Sequence, residues 1–135
     1  MIITCCNEEI DVILDTVRAA LQLDYPRNRY RVIIADDGSS AELSAAISGM
    51  ATISYNLYYF ARVKAGPDGY KAGNLNRTLK FLEKLPQGPA MFVAGLDADM
   101  IPEIRWLRAM TPHLVQDSRL AVVCPPQVRI LFIHG

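Results

Sequence analysis

The amino-acid sequence predicts an α/β domain with a mostly parallel sheet and helices on both faces of that sheet. Short apolar runs alternate with longer segments in which apolar residues recur at helical spacing, in the order βαβαβαβαβ. The 135 residues are 51% hydrophobic and 21% charged, which is typical of a globular domain that buries its own core. No internal repeat or low-complexity linker interrupts the alternation, so a single domain is expected.

The first predicted strand and helix occupy the start of the sequence. The apolar run 1–5 predicts a buried strand. Asn7 is predicted to cap the following helix, because its side chain can accept a hydrogen bond from a free backbone N–H. Apolar residues recur at helical spacing from Ile10 to Leu21, and Pro26 marks the end because proline lacks the N–H that a helix needs.

The second strand and helix are separated by a polar turn. Residues 30–35 contain three consecutive β-branched residues, which favours a buried strand, and residues 36–40 form the turn. Ser39 and Glu42 have the spacing of a capping box, in which each side chain satisfies a backbone N–H of the other residue. A helix through Met50 is therefore predicted.

The third strand and helix flank a loop rich in glycine and lysine. Residues 56–60 include three aromatic side chains, which favour a strand. The loop is predicted over 63–73. Three leucines around Leu79 then indicate a helix that the proline- and glycine-containing segment 86–89 closes.

The last predicted elements are two strands around a fourth helix. Residues 91–96 form a fourth apolar run, and residues 120–124 predict a fifth strand. Pro102 suits the first turn of the intervening helix, where the missing N–H has no cost. Trp106, on the same helix, is expected to pack in the core.

Charge and cysteine content exclude several classes of protein. Fourteen basic residues balance fourteen acidic residues, so neither a nucleic-acid partner nor an anionic membrane surface is indicated. The three cysteines contain no Cys-x-x-Cys pair, which argues against a zinc site or a disulfide framework and favours a reducing, cytosol-facing setting. No run of residues approaches the length of a transmembrane segment, and no signal peptide is recognisable.

Polar side chains gather where the predicted strands end. In an open parallel sheet, ligands bind outside the carboxyl ends of the strands, so these side chains are expected to converge on one site. They follow strands one, two and four, or lie between strand three and helix three. The residues are Asn7, Glu8, Asp36, Asp37, Lys71, Asn74, Asp97 and Asp99.

The Asp97-Ala98-Asp99 motif predicts a divalent metal site. Two carboxylates about 4 Å apart repel by roughly 4 kcal/mol at an effective dielectric near 20. Mg²⁺ or Mn²⁺ would remove that repulsion and leave coordination positions for phosphate oxygens. The alternative is that Asp99 only begins a helix while Asp97 is solvated.

Two other segments suggest a nucleotide. A carboxylate at Asp36 or Asp37, beside Gly38, could accept hydrogen bonds from a nucleobase, and Lys71 before a helix could attract phosphate. The alternatives are an ordinary strand-to-helix turn and a solvated loop lysine. His113 and His134 lack the paired spacing of metal ligands.

Taken together, residues 3–9, 35–40, 71–76 and 96–100 resemble the family 2 glycosyltransferases, which include the cellulose, chitin and hyaluronan synthases. The order and approximate spacing of the segments match the family to about Gln127. The motifs KAGNLN (71–76) and DADM (97–100) are most similar to those of the cellulose-synthase-like branch. The resemblance implies a GT-A fold. Residues 1–127 would be the nucleotide-sugar-binding part, and residues 128–135 a divergent tail.

The resemblance also implies roles for the individual site residues. One set would line the uridine pocket and contact the nucleotide, although a tyrosine is more usual at the position of Cys6. Asp97 would face the donor sugar and diphosphate, and Asp97 and Asp99 would bind Mg²⁺ or Mn²⁺. The nucleotide-binding set is Thr4, Cys6, Glu8, Asp36, Asp37, Lys71 and Asn74.

The implied reaction is transfer of a sugar, with inversion, from a nucleotide diphosphate, with UDP as the expected nucleotide, to a hydroxyl acceptor such as a carbohydrate. The family's Thr-Glu-Asp-like triplet, which carries the catalytic base, and its Gln-x-x-Arg-Trp motif are absent from this sequence. The chain is therefore expected to bind donor better than it transfers sugar. Full-length relatives are usually membrane-bound, so membrane association would come from helices outside these residues.

The sequence argues against two rival classes and leaves one alternative open. A haloacid-dehalogenase-like phosphatase would place its Asp motif after strand one, and a receiver domain would need an acid after strand three, where the sequence reads Phe60-Ala61-Arg62. The third alternative is a catalytically silent nucleotide-binding fragment or regulatory domain of the same fold.

Overall fold

The computed structural model describes residues 1–63 and 69–125, which form one parallel sheet flanked by helices. A short 3-10 helix, Arg27–Arg29, precedes the second strand. The remaining elements are β1 (Ile2–Cys5), α1 (Ile10–Leu21), β2 (Val32–Asp36), α2 (Ala41–Ala51), β3 (Leu57–Ala61), α3 (Tyr70–Glu83), β4 (Gly95–Asp97) and α4 (Trp106–Gln116).

The four strands lie in the order β3-β2-β1-β4, and all pairings are parallel. The chain adds β2 and β3 on one side of β1 and then returns to place β4 on the other side. In the β1–β4 register, Thr4 lies opposite Asp97, and in the β1–β2 register Thr4 lies opposite Ala35. The predicted α/β class is confirmed.

Each face of the sheet buries alternate residues against different helices. Ile3 and Ile34 point to the face covered by α1 and α2, and Trp106 of α4 packs partly buried against the same cluster. Ile2 and Ile33 point to the opposite face, where Leu82 of α3 completes a second cluster. This alternation follows from the two-residue period of a strand, and it confirms both the helices on two faces and the core position of Trp106.

The prediction of a fifth strand over 120–124 is wrong. These residues are irregular, and two of the apolar side chains that suggested a strand are exposed, Leu120 by 43% and Val122 by 78%. An apolar run becomes a strand only where a neighbouring strand pairs with it, and none of the four described strands pairs with these residues; the Leu120 N–H donates locally to the Asp117 carbonyl instead. The predicted boundary at Gln127 and the tail 128–135 lie outside the described residues.

Several predicted boundaries shift by a few residues. Asn7 adopts a left-handed conformation with φ 65° and α1 begins at Ile10, so the predicted Asn7 cap is wrong. Ser39 is also left-handed, with φ 55°, and Ser40 caps α2 instead by accepting a hydrogen bond from the Leu43 N–H at 3.2 Å. Short polar side chains favour both caps and tight turns, so neighbouring serines can exchange these two roles.

The later elements differ from prediction in the same way. α3 begins at Tyr70, so Lys71 and Asn74 lie on the helix rather than in a loop before it. β4 contains only three residues, and Pro102 precedes α4, which begins at Trp106. The apolar residues Met91 and Val93, on which the longer fourth strand depended, are 87% and 52% exposed.

Candidate functional site

The carboxyl ends of β1 and β4 and the first turn of α3 meet at one edge of the sheet. Lys71 forms an ion pair with Asp97 there, and both side chains are partly exposed, by 59% and 44%. The Thr4 hydroxyl lies 3.4 Å from the Leu96 carbonyl oxygen and 3.5 Å from the Asp97 carboxylate. This corner, consisting of Thr4, Lys71 and Asp97, is called the lysine corner below.

Asp36 belongs to the scaffold of the β2–α2 turn. Its side chain is 1% exposed, and its carboxylate accepts hydrogen bonds from the Gly38 and Ser40 N–H groups and from the Tyr59 hydroxyl, at 2.8, 2.7 and 2.7 Å. Burial, followed by the hydrogen bond to Asp36, raises the pKa of Tyr59 above its ordinary value. The residue therefore holds the turn that presents the next acid, Asp37.

Gly38 allows two turns to pack together. A Cβ atom at this position would lie 2.5 Å from Asn7 Oδ1 and 3.2 Å from the Asn7 backbone nitrogen. A side chain at this position would displace the Asn7 side chain and crowd the Asn7 backbone. The glycine thus brings the turn after β1 against the turn after β2.

Asp37 is held by Arg62, a residue outside the segments that resemble the family. Arg62, directly after β3, donates from Nε and Nη2 to both carboxylate oxygens of Asp37, the Nη2 contact being 3.1 Å. The two side chains are only 3% and 11% exposed. A cation following a strand on the edge where acids gather is the signal that could have identified Arg62.

The turn after β1 carries the other predicted pocket residues. Cys6 is exposed, its backbone N–H donates to the Glu8 carboxylate, and the Asn7 side-chain amide lies 3.8 Å from its sulfur.

Cys5 is buried, and burial, together with the charge of Asp36, raises its pKa to about 12. Among the described residues all three cysteines are free thiols.

Asn74 lies beneath the surface of the site. It is 2% exposed, and its amide donates to the Ala35 carbonyl at 2.8 Å, which fastens α3 to β2. Its Oδ1 atom has no hydrogen-bond partner among the described residues. The structure therefore places Asn74 behind the site rather than at its surface.

Asp97 and Asp99 are two carboxylates, fewer than the ligands a metal ion needs, so a bound ion would also depend on water or on a ligand. Asp99 is exposed and Asp97 contacts Lys71. Over residues 1–63 and 69–125 no group of three or more His, Cys, Asp or Glu side chains converges to hold an ion. Two carboxylates that leave the other coordination positions to water and phosphate oxygens fit the way Mg²⁺ is usually bound.

A cavity of about 680 Å³ lies away from these polar residues, near the start of β1 and beside the segment that leads into β4. Its lining includes Met1, Phe92, Trp106 and Leu114, and none of the predicted site residues.

Of the described helices, none has both the length and the apolar character that crossing a membrane requires.

Comparisons with known proteins agree with this architecture. The model of Glycosyl transferase family 2 matches residues 1–131. The cellulose synthase catalytic subunit (UDP-forming) of Komagataeibacter sucrofermentans is 28% identical over 120 residues, which are 89% of this chain and 14% of that protein. Putative cellulose synthase 2 of Komagataeibacter xylinus is 30% identical over 122 residues, 89% of this chain and 7% of that protein. The chain thus spans a small part of these relatives.

Solved structures show the same fold. S. aureus TarS 1-349 superposes with a TM-score of 0.63 at 17% sequence identity, covering 93% of this chain and 37% of that one. The same protein in complex with UDP-GlcNAc gives a TM-score of 0.63 at 18% identity, covering 93% and 36%. At these sequence identities, the structural likeness establishes only the fold of this chain.

Proposed function

Because this chain belongs to glycosyl transferase family 2, we propose that it binds a nucleotide-diphosphate sugar, with UDP as the nucleotide, at the carboxyl edge of its sheet. The proposal has support from the named relatives, one described as UDP-forming and another solved in complex with UDP-GlcNAc. The observation that carries it is the lysine corner, where a cation and a carboxylate meet at the edge that binds ligands in such sheets.

In this proposal the diphosphate binds at the lysine corner. The Lys71–Asp97 ion pair is partly exposed, and such pairs contribute only ~0–1 kcal/mol, so exchanging partners costs little. Lys71 can therefore turn from Asp97 to a phosphate oxygen when the donor arrives. The Thr4 hydroxyl, 3.5 Å from the Asp97 carboxylate, would then hold that carboxylate where it faces the donor sugar.

The nucleobase is assigned to Asp37. Asp36, its neighbour, accepts hydrogen bonds from two N–H groups of its own turn and from the Tyr59 hydroxyl of β3, whereas Asp37 directly follows β2 at the carboxyl edge of the sheet and pairs with Arg62. Cys6 and Glu8, on the adjacent turn, would form the wall of the uridine pocket.

A divalent cation, Mg²⁺ or Mn²⁺, would be held by Asp97 and Asp99. When bound, such an ion offsets the charge that builds on a departing diphosphate. The residues of this chain then have separate tasks: Lys71 binds phosphate, Asp37 orients the base, and Asn74 keeps α3 fixed to the sheet beneath them.

The reaction proposed for the whole protein is sugar transfer with inversion to a hydroxyl acceptor, on the cytosolic side of a membrane. An acceptor hydroxyl needs a base, which typically contributes a 10²–10⁴-fold effect in rate. None of the described residues has a geometry that assigns it this role. We therefore expect these 135 residues to bind the donor but to transfer little or no sugar. An assay with a radiolabelled UDP-sugar and carbohydrate acceptors measures the transfer.

Isothermal calorimetry with UDP tests the phosphate assignment. Lys71→Met should weaken UDP binding about tenfold or more, since it removes a charge-assisted contact worth about 1.5–3 kcal/mol. Lys80→Met is the matched control, because Lys80 is an exposed lysine on the same helix, away from the edge. Absent UDP binding by the folded wild-type chain, or equal losses in both variants, would contradict the proposal.

A second titration tests the metal. UDP binding should strengthen when Mg²⁺ or Mn²⁺ is added, and Asp99→Asn should abolish that gain because the neutral amide is a poorer ligand. Asp11→Asn, at an exposed acid in the first turn of α1, should leave the gain unchanged. Binding that does not respond to metal in the wild-type chain would rule out this part of the proposal.

A further inference from the structure

Two buried polar atoms at the amino edge of the sheet, where its strands begin, have no hydrogen-bond partner among the described residues. They are Arg31 Nη1 and Asn56 Oδ1. Arg31 directly precedes β2 and Asn56 directly precedes β3, and the residues that follow them, Val32 and Leu57, are paired in the sheet. A donor without an acceptor and an acceptor without a donor therefore belong to neighbouring positions.

The other contacts of the two side chains determine which atom of each is left over. Asn56 Nδ2 donates to the Tyr30 carbonyl at 3.3 Å. Because a carbonyl oxygen only accepts, the amide nitrogen faces Tyr30 and the amide oxygen is the unpaired end. Arg31 Nη2 donates to the Gly88 carbonyl, after α3, at 2.8 Å. A buried polar atom without a partner is unfavourable, so a group that satisfies both atoms gains affinity from doing so.

Arg31 and Asn56 both line the cavity of about 680 Å³ near the start of β1. Asn56 is 3% exposed and held against Tyr30, so it forms the fixed end of the arrangement. Arg31 is only partly buried, and within the described residues its side chain makes a single hydrogen bond, the one to Gly88. Arg31 can therefore turn its unpaired nitrogen into the cavity at the cost of one contact.

The lining of this cavity carries positive charge. Besides Arg31, the exposed residues Arg27 and Arg29 of the 3-10 helix line it, and none of the described lining residues is an aspartate or a glutamate. Three arginines without a neighbouring acid in the lining favour an anion. The oxygen of Asn56 requires in addition a hydrogen-bond donor.

We propose that this cavity is a second binding site, for an anion that carries a hydroxyl beside its charge, either a phosphate or a carboxylate. The anion accepts hydrogen bonds from Arg31 and is attracted by Arg27 and Arg29, and the hydroxyl donates to Asn56 Oδ1. The five residues of β2 separate the two edges of the sheet by roughly 16 Å. The site is therefore distinct from the one proposed for the nucleotide sugar and does not depend on it.

Calorimetry on the 135-residue chain tests the ligand class with four small probes: glycerol 1-phosphate, glycerate, inorganic phosphate and glycerol. The tighter of the first two should bind about fivefold more tightly than inorganic phosphate, because it adds the hydrogen bond to Asn56. That comparison also tells a phosphate from a carboxylate. Glycerol, which lacks the charge, should not bind measurably, and saturating UDP should change the affinity of the tighter probe by less than about twofold.

Arg31→Met should weaken binding of the tighter probe about tenfold or more, because it removes a charge-assisted hydrogen bond. Arg18→Met is the matched control, since Arg18 is an exposed arginine of α1 that does not line the cavity. Its affinity should stay within about twofold of the wild-type value. A double variant, Arg27→Met with Arg29→Met, should bind more weakly and with a smaller dependence on salt, because exposed charges are screened.

Three results would overturn the proposal. The first is that the folded wild-type chain binds neither glycerol 1-phosphate nor glycerate. The second is competition by UDP together with equal affinities of Arg31→Met and Arg18→Met, since the anion would then occupy the carboxyl edge. The third is equal affinity for inorganic phosphate and the hydroxylated probes, which would remove the role of Asn56. A failure to bind UDP would contradict only the proposed function.

A measurement on the wild-type chain covers the case in which Arg31→Met does not fold. The side-chain amide resonances of Asn56 should shift in NMR spectra when the tighter probe is added. Those of Asn74, which is buried beneath the carboxyl edge, should not shift. Unchanged Asn56 resonances at saturating probe, or equal shifts of both amides, would overturn the proposed site.

Discussion

At the scale of single residues, the carboxylates of Asp36 and Asp37 are divided between scaffold and site. Asp36 accepts from two backbone N–H groups and from the Tyr59 hydroxyl, and is 1% exposed. Asp37 points instead to Arg62. Asp36, buried and bonded to its own turn and to β3, contributes to stability, whereas Asp37 pairs with Arg62 directly after β2.

Asp36→Asn should lower the free energy of unfolding by about 1–3 kcal/mol, because an amide nitrogen replaces one accepting oxygen and leaves a buried donor without a partner. Asp99→Asn, at an exposed position, should change it by less than about 0.5 kcal/mol. Urea denaturation measures both values. Equal stability of the two variants would show that the Asp36 contacts contribute nothing net.

Stability should fall as the pH rises above about 9. Burial raises the pKa of Cys5 from 9.0 to about 12, and burial also raises the pKa of Tyr59 above 10.0. Both groups release a proton more readily when unfolded, so alkaline solution favours the unfolded state. Denaturation at pH 8 and pH 10.5 should show a smaller pH dependence in Cys5→Ala than in the wild-type chain.

Cys124→Ala serves as the control for this measurement, since Cys124 is exposed. Its pH dependence should equal that of the wild-type chain. A free energy of unfolding that stays constant between pH 8 and pH 10.5 would contradict the assigned burial of Cys5 and Tyr59.

At the scale of elements, the start of α3 depends on unusual backbone conformations. Gly69 caps the helix with φ 67°, and Tyr70 follows with φ 47°. A Cβ atom on Gly69 would also lie 3.3 Å from the Gly73 nitrogen. These two residues place Lys71 on the first turn, facing Asp97.

Gly69→Ala should therefore destabilise the chain by about 1–2 kcal/mol, the cost of the left-handed region for a residue with a Cβ. Gly49→Ala is the matched control, because Gly49 lies in α2 with nothing within 4 Å of a new Cβ. That change should stabilise by up to about 1 kcal/mol. Thermal unfolding distinguishes the two, and a neutral Gly69→Ala would argue against the assigned cap.

The parts of the fold that follow from local pattern could be predicted from the sequence. Buried runs such as 32–36 and the amphipathic helix ending at Leu21 identify themselves by composition and spacing. The fifth strand could not be judged this way, since whether 120–124 is a strand depends on a partner rather than on its own residues.

The candidate site shows the same limit. Polar residues that follow parallel strands are expected to meet at the carboxyl edge of the sheet. The ion pair between Lys71 and Asp97 agrees with this expectation. The burial of Asn74 and the pairing of Arg62 with Asp37 depend on side-chain packing between elements. The position of Arg62 after β3 marks it as a candidate, but no spacing in the sequence gives its partner or the burial of Asn74.

At the scale of the whole molecule, the sheet is unevenly supported. β2 is central and all five of its residues are buried, whereas β4 is a three-residue edge strand and α4 buries none of its residues fully. Regions with few buried apolar contacts open most readily.

Native-state hydrogen exchange should therefore show two levels of protection. Amides of β4 and α4 should exchange through openings of lower free energy than amides of β1 and β2, with a difference of about 1 kcal/mol or more. Saturating UDP should narrow the gap, because the lysine corner joins β4 to α3 and β1. Uniform protection across the four strands would contradict this division.

The strand order also predicts that the Asp37–Arg62 pair and the lysine corner form at different stages of folding. Asp37 and Arg62 are 25 residues apart, but Thr4 and Asp97 are separated by 93, and closing a longer chain loop costs more entropy. We expect the Asp37–Arg62 pair to form early, around β1, β2 and β3, and the lysine corner to be completed last. In stopped-flow refolding, Ile47→Val should mainly slow folding, whereas Leu96→Ala should mainly accelerate unfolding. The reverse pattern would show that β4 belongs to the folding nucleus.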